Sequence, residues 1–229
     1  MDARTAVRLG GIFGLLAVVV MIPAYLVGYL DAPGSPEEAS AYFGAGVGTF
    51  VFFNGVLPLF HVFFFILFLG VLYGVLRGAG DDDARGVQGG GVGLPAAALA
   101  GGIVFVGLEA VGFTVEILYP AALQRFGVFE PDAAFVLVSL TLSSWLYHFC
   151  QVGASAMVLV TSLVALETSV LPRWLALAGL VVALLTLLHF LVPLLAALMG
   201  LLWIAAVSVL MLTGGVRSAG GPRRRTVQR

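Results

Sequence analysis

Six long apolar runs follow one another along this chain, and each has about the length that a helix needs to cross a lipid bilayer. A membrane-spanning helix requires roughly 20 predominantly apolar residues. Composition agrees with this pattern, because 61% of the 229 residues are hydrophobic and only 10% are charged, which departs strongly from a soluble domain. The predicted spans run from about Leu9 to Leu30, Gly46 to Leu76, Leu94 to Tyr119, Ala133 to Glu167, Trp174 to Val192, and from Pro193 to about Thr213.

The sequence therefore predicts an all-α polytopic membrane protein with six transmembrane helices in one bundle. We expect a single six-helix transmembrane domain over residues 1–213. Residues 214–229 are polar and arginine-rich, and we expect them to form a disordered cytoplasmic tail. We expect such a chain to be embedded in the lipid bilayer and to have no nucleic-acid partner.

The distribution of arginine predicts how the bundle is oriented. With six spans, both termini lie on one side of the membrane, together with the loop after the second span and the turn after the fourth. That side holds ten arginines, whereas the opposite side holds only Arg125. The ten are Arg4, Arg8, Arg77, Arg85, Arg173, Arg217, Arg223, Arg224, Arg225 and Arg229. Because loops rich in Lys and Arg stay in the cytoplasm, we predict a multi-pass protein of the cell membrane with both termini cytoplasmic.

Polar side chains interrupt the apolar runs at related depths. Counted from the ends of the spans, His61, Glu109 and His148 all lie near the middle of the membrane, each on a different helix. An unpaired polar group in hydrocarbon costs several kcal/mol, so these side chains must face one another or a cavity. We predict a polar seam between the second, third and fourth spans. It consists of Asn54, His61, Glu109, Glu116, His148 and Gln151.

Three classes of function are favoured for this polar seam, ahead of an ion channel, because the sequence contains no repeated filter or ring-forming motif. The first is binding or transport of a small amphipathic molecule, or a proton relay, because histidine titrates near neutrality and a desolvated glutamate can share its proton. The second is an intramembrane enzyme with a divalent metal cofactor, held by His61, Glu109 and His148 as two imidazoles and one carboxylate. The third is a non-catalytic subunit that assembles with another membrane protein.

The same residues also have a purely structural interpretation. A glutamate with a histidine partner can fix the packing of two helices, and polar contacts between membrane helices average about 0.6 kcal/mol. The sequence leaves these interpretations open, and it does not name a ligand.

A proline and several glycines predict local features of the helices. Pro58 has no N–H for the carbonyl of Asn54, four residues earlier, and therefore predicts a kink in the second span. Gly70, Gly74 and Gly78 repeat a small-x-x-x-small spacing that allows close helix approach. We interpret them as contacts inside one bundle, with a homo-oligomer through the glycine-rich helix faces as the alternative. Glycines of the third span also predict close approach by its neighbours, at Gly101, Gly102, Gly107 and Gly112.

Three segments of the chain resemble a known family. They are residues 146–151 (LYHFCQ), residues 169–179 (SVLPRWLALAG) and residues 4–13 (RTAVRLGGIF). They are similar to the corresponding segments of an uncharacterised six-helix bacterial membrane family, the domain of unknown function 4386. In that family a histidine-bearing helix leads to a Leu-Pro-Arg turn and a glycine-containing helix. The resemblance implies the same six-helix fold and implies no activity.

Overall fold

A computed structural model describes residues 2–30, 35, 38, 47–84, 93–127 and 133–216 of the chain. Within these residues the regular structure is entirely helical, without strands, which confirms the predicted all-α class. Most of the predicted tail, residues 217–229, lies outside the described residues. The described helices are α1 (Ala3–Leu30), α2 (residues 47–84), α3 (Gly93–Phe126), α4 (Ala133–Thr168), α5 (Arg173–Leu187) and α6 (Pro193–Thr213).

Five of these helices are long and apolar enough to cross a membrane, namely α1, α2, α3, α4 and α6. The predicted span from Trp174 to Val192 is instead a shorter helix, because α5 has 15 residues and a length of about 22 Å. The α-helix stops where the backbone N–H and the ring Nδ1 of His189 both contact the carbonyl oxygen of Thr186, at 3.4 Å and 2.9 Å. These contacts form a tight turn, and Pro193 then begins α6.

Local sequence determines where several helices begin and end. The Asp2 carboxylate accepts a hydrogen bond of 2.7 Å from the backbone N–H of Thr5 at the start of α1, and its hydrogen bonds with Thr5 hold the pKa of Asp2 below its ordinary value. Pro193 occupies the first turn of α6, where a missing N–H costs no helical hydrogen bond. Gly214 ends α6 in the left-handed conformation, with φ of 78°, which glycine adopts without strain.

Two helices continue beyond their predicted ends. The third span was expected to stop at Tyr119, but α3 passes through Pro120 and ends at Phe126. A proline inside a helix removes one backbone hydrogen bond, and the helix-favouring residues that follow allow α3 to continue. The second span was expected to end near Leu76, but α2 extends to Ala84.

A wide helical turn lies close to Pro58, where the sequence predicts a kink. Within α2, α-helical Val47–Val51 and Leu57–Ala84 flank a π-helical turn at Phe52–Val56. The Leu57 N–H bonds to the carbonyl of Phe52, five residues earlier. This turn lies immediately before Pro58, which lacks the N–H that would continue the regular pattern.

The six helices pack as a closed ring. Each helix contacts the next one in sequence, and α1 also contacts α6. Hydrogen bonds tie α5 into this ring, since Ser155 of α4 donates to the carbonyl of Ala183 at 2.8 Å and Trp203 of α6 donates to that of Leu175 at 3.3 Å. A Cβ added to Gly11, near the start of α1, would lie 2.5 Å from the carbonyl oxygen of Ser208, near the end of α6. The first turns of α1 and the last turns of α6 therefore lie at the same end of the ring.

Glycine allows the backbones of α3 and α4 to touch. A Cβ added to Gly153 would lie 2.6 Å from the backbone nitrogen of Phe105 and 2.8 Å from the carbonyl oxygen of Gly101. By contrast, a Cβ added to Gly70 or Gly74 would have no neighbouring atom within 4 Å. The interpretation of these two glycines as contacts inside the bundle is therefore wrong for the described residues. Of the close approaches predicted along the third span, the one at Gly101 is present and the one at Gly107 is absent, because a Cβ added to Gly107 would have no neighbouring atom within 4 Å.

We predict that Gly153→Ala lowers the stability of the protein. The added methyl group would have to push apart two backbones, and overpacking of this kind costs about 1–3 kcal/mol. Gly107→Ala is the matched control, because a Cβ there meets nothing within 4 Å and alanine favours a helix over glycine by about 1 kcal/mol. Thermal unfolding in a mild detergent, followed by circular dichroism, measures both variants. Equal melting temperatures for the two variants would contradict the backbone contact.

Candidate functional site

A buried carboxylate joins three helices in the middle of the ring. Oε1 of Glu109, on α3, accepts a hydrogen bond of 3.0 Å from the hydroxyl of Tyr25 on α1. Oε2 of Glu109 lies 3.0 Å from Nε2 of His61 on α2. The exposed fraction is 4% for Glu109 and 1% for His61. The structure thus brings His61 and Glu109 of the polar seam into direct contact, and it adds Tyr25, which the sequence analysis did not include.

The hydrogen bonds of His61 determine how many protons this cluster holds. Nδ1 of His61 lies 2.9 Å from the carbonyl oxygen of Ala17, and because a carbonyl only accepts, Nδ1 carries a hydrogen. A bare Nε2 facing a bare carboxylate oxygen would place two lone pairs against each other. One further proton therefore lies on either Nε2 or Glu109, so the pair has no net charge. The contact lacks the alignment of a good hydrogen bond, which leaves electrostatic attraction as its main component.

Aromatic side chains close the cluster on the side of the termini. The ring of Phe65 stacks on that of His61 with centroids 5.6 Å apart, and Phe105 meets His61 edge-on at 6.4 Å. Phe68 is fully buried beside Phe65. The chain of polar contacts from Tyr25 through Glu109 and His61 therefore ends at a backbone carbonyl, beside apolar groups.

On its other side, the cluster borders a cavity of about 490 Å³, which we call the central cavity. Residues of α1, α2, α3, α4 and α6 and the turn between α5 and α6 line it. Because α5 ends at Leu187, the half of the ring that contains the cavity has a turn where the fifth helix would otherwise continue. Four of the six polar-seam residues lie on the cavity wall, namely Asn54, Glu109, Glu116 and His148.

His148 pairs with a histidine that was not assigned to the polar seam. Nδ1 of His148 lies 2.6 Å from Nε2 of His189, whose own Nδ1 lies 2.9 Å from the carbonyl oxygen of Thr186. The carbonyl accepts from Nδ1 of His189, so in the neutral ring Nε2 of His189 is an acceptor. Nδ1 of His148 must then donate, which leaves Nε2 of His148 as an acceptor. The pair joins α4 to the turn before α6.

Of the two polar-seam residues that are not on the cavity wall, His61 belongs to the cluster with Glu109, and Gln151 lies apart from it. Gln151 is buried, and its amide lies 3.9 Å from Sγ of Cys150. The hydrogen bond of His148 is made with His189, whereas Nε2 of His61 faces Glu109. The described residues contain no group of three His, Cys, Asp or Glu side chains that could hold a metal ion. His61, Glu109 and His148, the donors considered for a divalent metal, are thus not gathered around one point in this structure.

Two members of the site could have been found from a weak signal in the sequence. Tyr25 follows Ala17 by eight residues and so shares its helical face, and both residues contact the His61–Glu109 pair. His189 lies four residues before Pro193, at the place where a regular helix is most easily interrupted. The signal at Tyr25 is not specific, because tyrosine near a span end is also typical of membrane interfaces.

Models of known protein families, curated protein sequences and solved structures were compared with this chain, and none of them matches it. The resemblance to the six-helix bacterial family therefore stays a prediction.

We predict that Glu109→Gln retains the stability of the protein whereas Glu109→Ala loses it. The amide of glutamine can donate to Nε2 of His61 and accept from Tyr25, so every polar group keeps a partner. Alanine would leave the buried hydroxyl and imidazole unpaired, at a cost of about 1–3 kcal/mol. Thermal unfolding in mild detergent measures the melting temperatures of both variants.

Glu116→Ala is the matched control, because the described residues include no hydrogen bond or ion pair to the Glu116 carboxylate, and we expect its melting temperature to stay near that of the wild type. A Glu109→Ala variant as stable as the Glu116→Ala variant would contradict the structural importance of the cluster.

Proposed function

We propose that this chain is an integral membrane protein that binds a small amphipathic molecule in the central cavity. The observation that carries the proposal is a cavity of about 490 Å³ with a buried carboxylate, held from two sides by Tyr25 and His61, in its wall. Sites for small molecules commonly measure 300–1,000 Å³ and combine apolar walls with a few oriented polar groups. The apolar part of the cavity wall includes Phe113, Leu140 and Phe190.

The outer surface of the ring supports a membrane location. Large apolar side chains are exposed around it, among them Val19, Leu59, Val138, Trp174 and Leu191. A protein in water rarely exposes so continuous an apolar surface. We propose that the chain crosses the membrane six times and that α5 together with residues 188–192 makes the fifth crossing. An even number of crossings agrees with the position of the first turns of α1 and the last turns of α6 at the same end of the ring. The arginine distribution then favours cytoplasmic termini and a central cavity in the outer half of the membrane.

Binding accounts for the geometry better than a proton relay does. A relay needs groups that can pass a proton onward, whereas the chain from Tyr25 through Glu109 and His61 stops at the carbonyl of Ala17, which cannot release a proton. Beyond it lie Phe65 and other buried apolar side chains. The divalent-metal enzyme is less favoured for a separate reason, since its three donors lie at two distinct places in the ring.

Filling the central cavity should abolish binding. We expect at least one of three small amphipathic compounds (4-phenylbutylamine, 4-phenylbutanol and 4-phenylbutyrate) to bind saturably to the wild type at one site per chain. In Leu140→Trp the larger ring occupies the cavity, and we expect no binding. Isothermal titration calorimetry on protein in lipid nanodiscs, with empty nanodiscs subtracted, measures this.

The matched control is Val138→Trp, which adds the same ring to a position on α4 that is 66% exposed. It should bind as the wild type does. Equal affinities in the wild type and in Leu140→Trp, or no saturable binding of any of the three compounds, would contradict the proposed function.

The topology can be tested by cysteine labelling, because Cys150 is the only cysteine. In a Cys150→Ala background, Gln124→Cys at the end of α3 and Ser169→Cys after α4 place single thiols at opposite ends of the ring. We expect a membrane-impermeant maleimide to label Gln124→Cys on intact cells and Ser169→Cys only after permeabilisation. Labelling of both on intact cells, or the reverse pattern, would contradict the proposed orientation.

A further inference from the structure

We propose that the central cavity selects a protonated organic amine, which is a ligand that donates hydrogen bonds and carries one positive charge. This inference rests on the proposed function, since it names the chemical class of the molecule that binds there. Three observations point to it: the direction of hydrogen bonds in the wall, the carboxyl groups of the wall, and the aromatic rings of its apolar part.

Three hydroxyl or thiol groups of the wall donate their hydrogen to protein groups and not to the cavity. The hydroxyl of Tyr25 donates to Glu109 at 3.0 Å, and that of Ser143 donates to the carbonyl of Gly112 at 3.1 Å. The thiol of Cys150 donates to the carbonyl of Tyr147 at 3.1 Å. Each of these hydroxyl or thiol groups has a single hydrogen, so what it can still offer to a ligand is a lone pair.

The remaining polar groups whose roles can be assigned follow the same rule. The hydroxyl of Tyr147 donates to the carbonyl of Pro193 at 3.5 Å, and the Asn54 amide nitrogen lies 3.5 Å from the carbonyl of Phe50. In the neutral His148–His189 pair, Nδ1 of His148 donates to its partner and Nε2 is left as an acceptor. The groups of the wall whose hydrogen bonds are assigned therefore present mainly acceptors, which favours a ligand that donates hydrogen bonds.

The wall of the cavity contains carboxyl groups that can carry negative charge. Glu109 and Glu116 both line the cavity, and the residues that line it include no arginine. The Glu109–His61 pair has no net charge, as its protons show. For Glu116, the described residues provide no ion pair. A bound ammonium group would favour the ionised form of this carboxyl group and pair with it, whereas a carboxylate ligand could face an ionised Glu116 only by placing two like charges in a poorly solvated place.

The apolar part of the wall suits the body of such a molecule. The aromatic rings of Phe113, Tyr147 and Phe190 and the side chain of Leu140 lie on the same wall as the carboxylates. Aromatic faces attract organic cations, and the attraction strengthens where water is excluded. The cavity therefore combines apolar contact with a negative, hydrogen-bond-accepting region, which is the complement of an amphipathic amine.

The experiment compares the affinities of three compounds that share one apolar body and differ in their polar group. In nanodiscs at neutral pH, 4-phenylbutylamine is a cation, 4-phenylbutanol is neutral and 4-phenylbutyrate is an anion. We expect the amine to bind at least roughly tenfold more tightly than the other two, as a charge-assisted hydrogen bond allows. Equal or tighter binding of the alcohol or of the carboxylate would overturn the inference.

Variants connect this preference to the wall. We expect Glu116→Gln to weaken binding of the amine roughly tenfold and to leave binding of the alcohol unchanged. Glu167→Gln, at an exposed position near the end of α4, is the matched control and should change neither. If Glu116→Gln weakened all three compounds equally, the charge would not be the cause of selection and the inference would be overturned.

The two proposals fail in different ways. If all three compounds bound equally and Leu140→Trp abolished all binding, the proposed function would stand and the selectivity for amines would be overturned. If the amine bound preferentially but Leu140→Trp left its affinity unchanged, the amine would bind outside the central cavity. That result would overturn both proposals.

Discussion

The contact of Glu109 with Tyr25 and His61 is the interaction on which the centre of this structure depends. A carboxylate surrounded by hydrocarbon is costly unless its oxygens have partners, and here each oxygen has one, from a different helix. Because the partners belong to α1 and α2 while the carboxylate belongs to α3, the contact fixes the relative rotation of three helices. The backbone carbonyl of Ala17 fixes the imidazole from the other side.

The space beside this contact exists because two helices depart from regular geometry. In α2 the π-helical turn at Phe52–Val56 lies where Asn54 meets the cavity. In the fifth helix the regular hydrogen bonding stops at Leu187, and a turn bound to His148 replaces further helix. A proline follows each distortion closely, as Pro58 and Pro193. The same sequence features that interrupt the helices thus also produce the polar and irregular wall that a binding site needs.

Much of this fold could be predicted because apolar length and polar depth are simple properties of a sequence. His61 and Glu109 lie at matching depths on neighbouring spans, and this depth argument was sufficient to place them together. Span ends were less predictable, because Pro120 was expected to end a helix that in fact continues, while α5 stops earlier than its apolar run does.

It was harder to predict which polar-seam side chains meet than how deep each one lies in the membrane. The depth of a residue does not specify how its helix is rotated about its own axis. His148 was grouped with His61 and Glu109, yet it faces His189, and Gln151 lies behind the cavity wall. Tyr25 was not considered, since one tyrosine near the end of an apolar run has no distinctive pattern. Which of several polar residues meet is decided by helix rotation and tilt, and these follow from close packing at positions such as Gly101 and Gly153.

The tautomers of the three histidines test most directly the claim that the cavity wall presents acceptors. Nitrogen-15 NMR of the ring nitrogens, in protein labelled selectively at histidine and measured in nanodiscs at mildly alkaline pH, distinguishes protonated from bare nitrogens. The account predicts a hydrogen on Nδ1 of His61, His148 and His189, and a bare Nε2 on His148. A hydrogen on Nε2 of His148 with a bare Nδ1 would reverse the assigned direction of the hydrogen bonds and contradict the account.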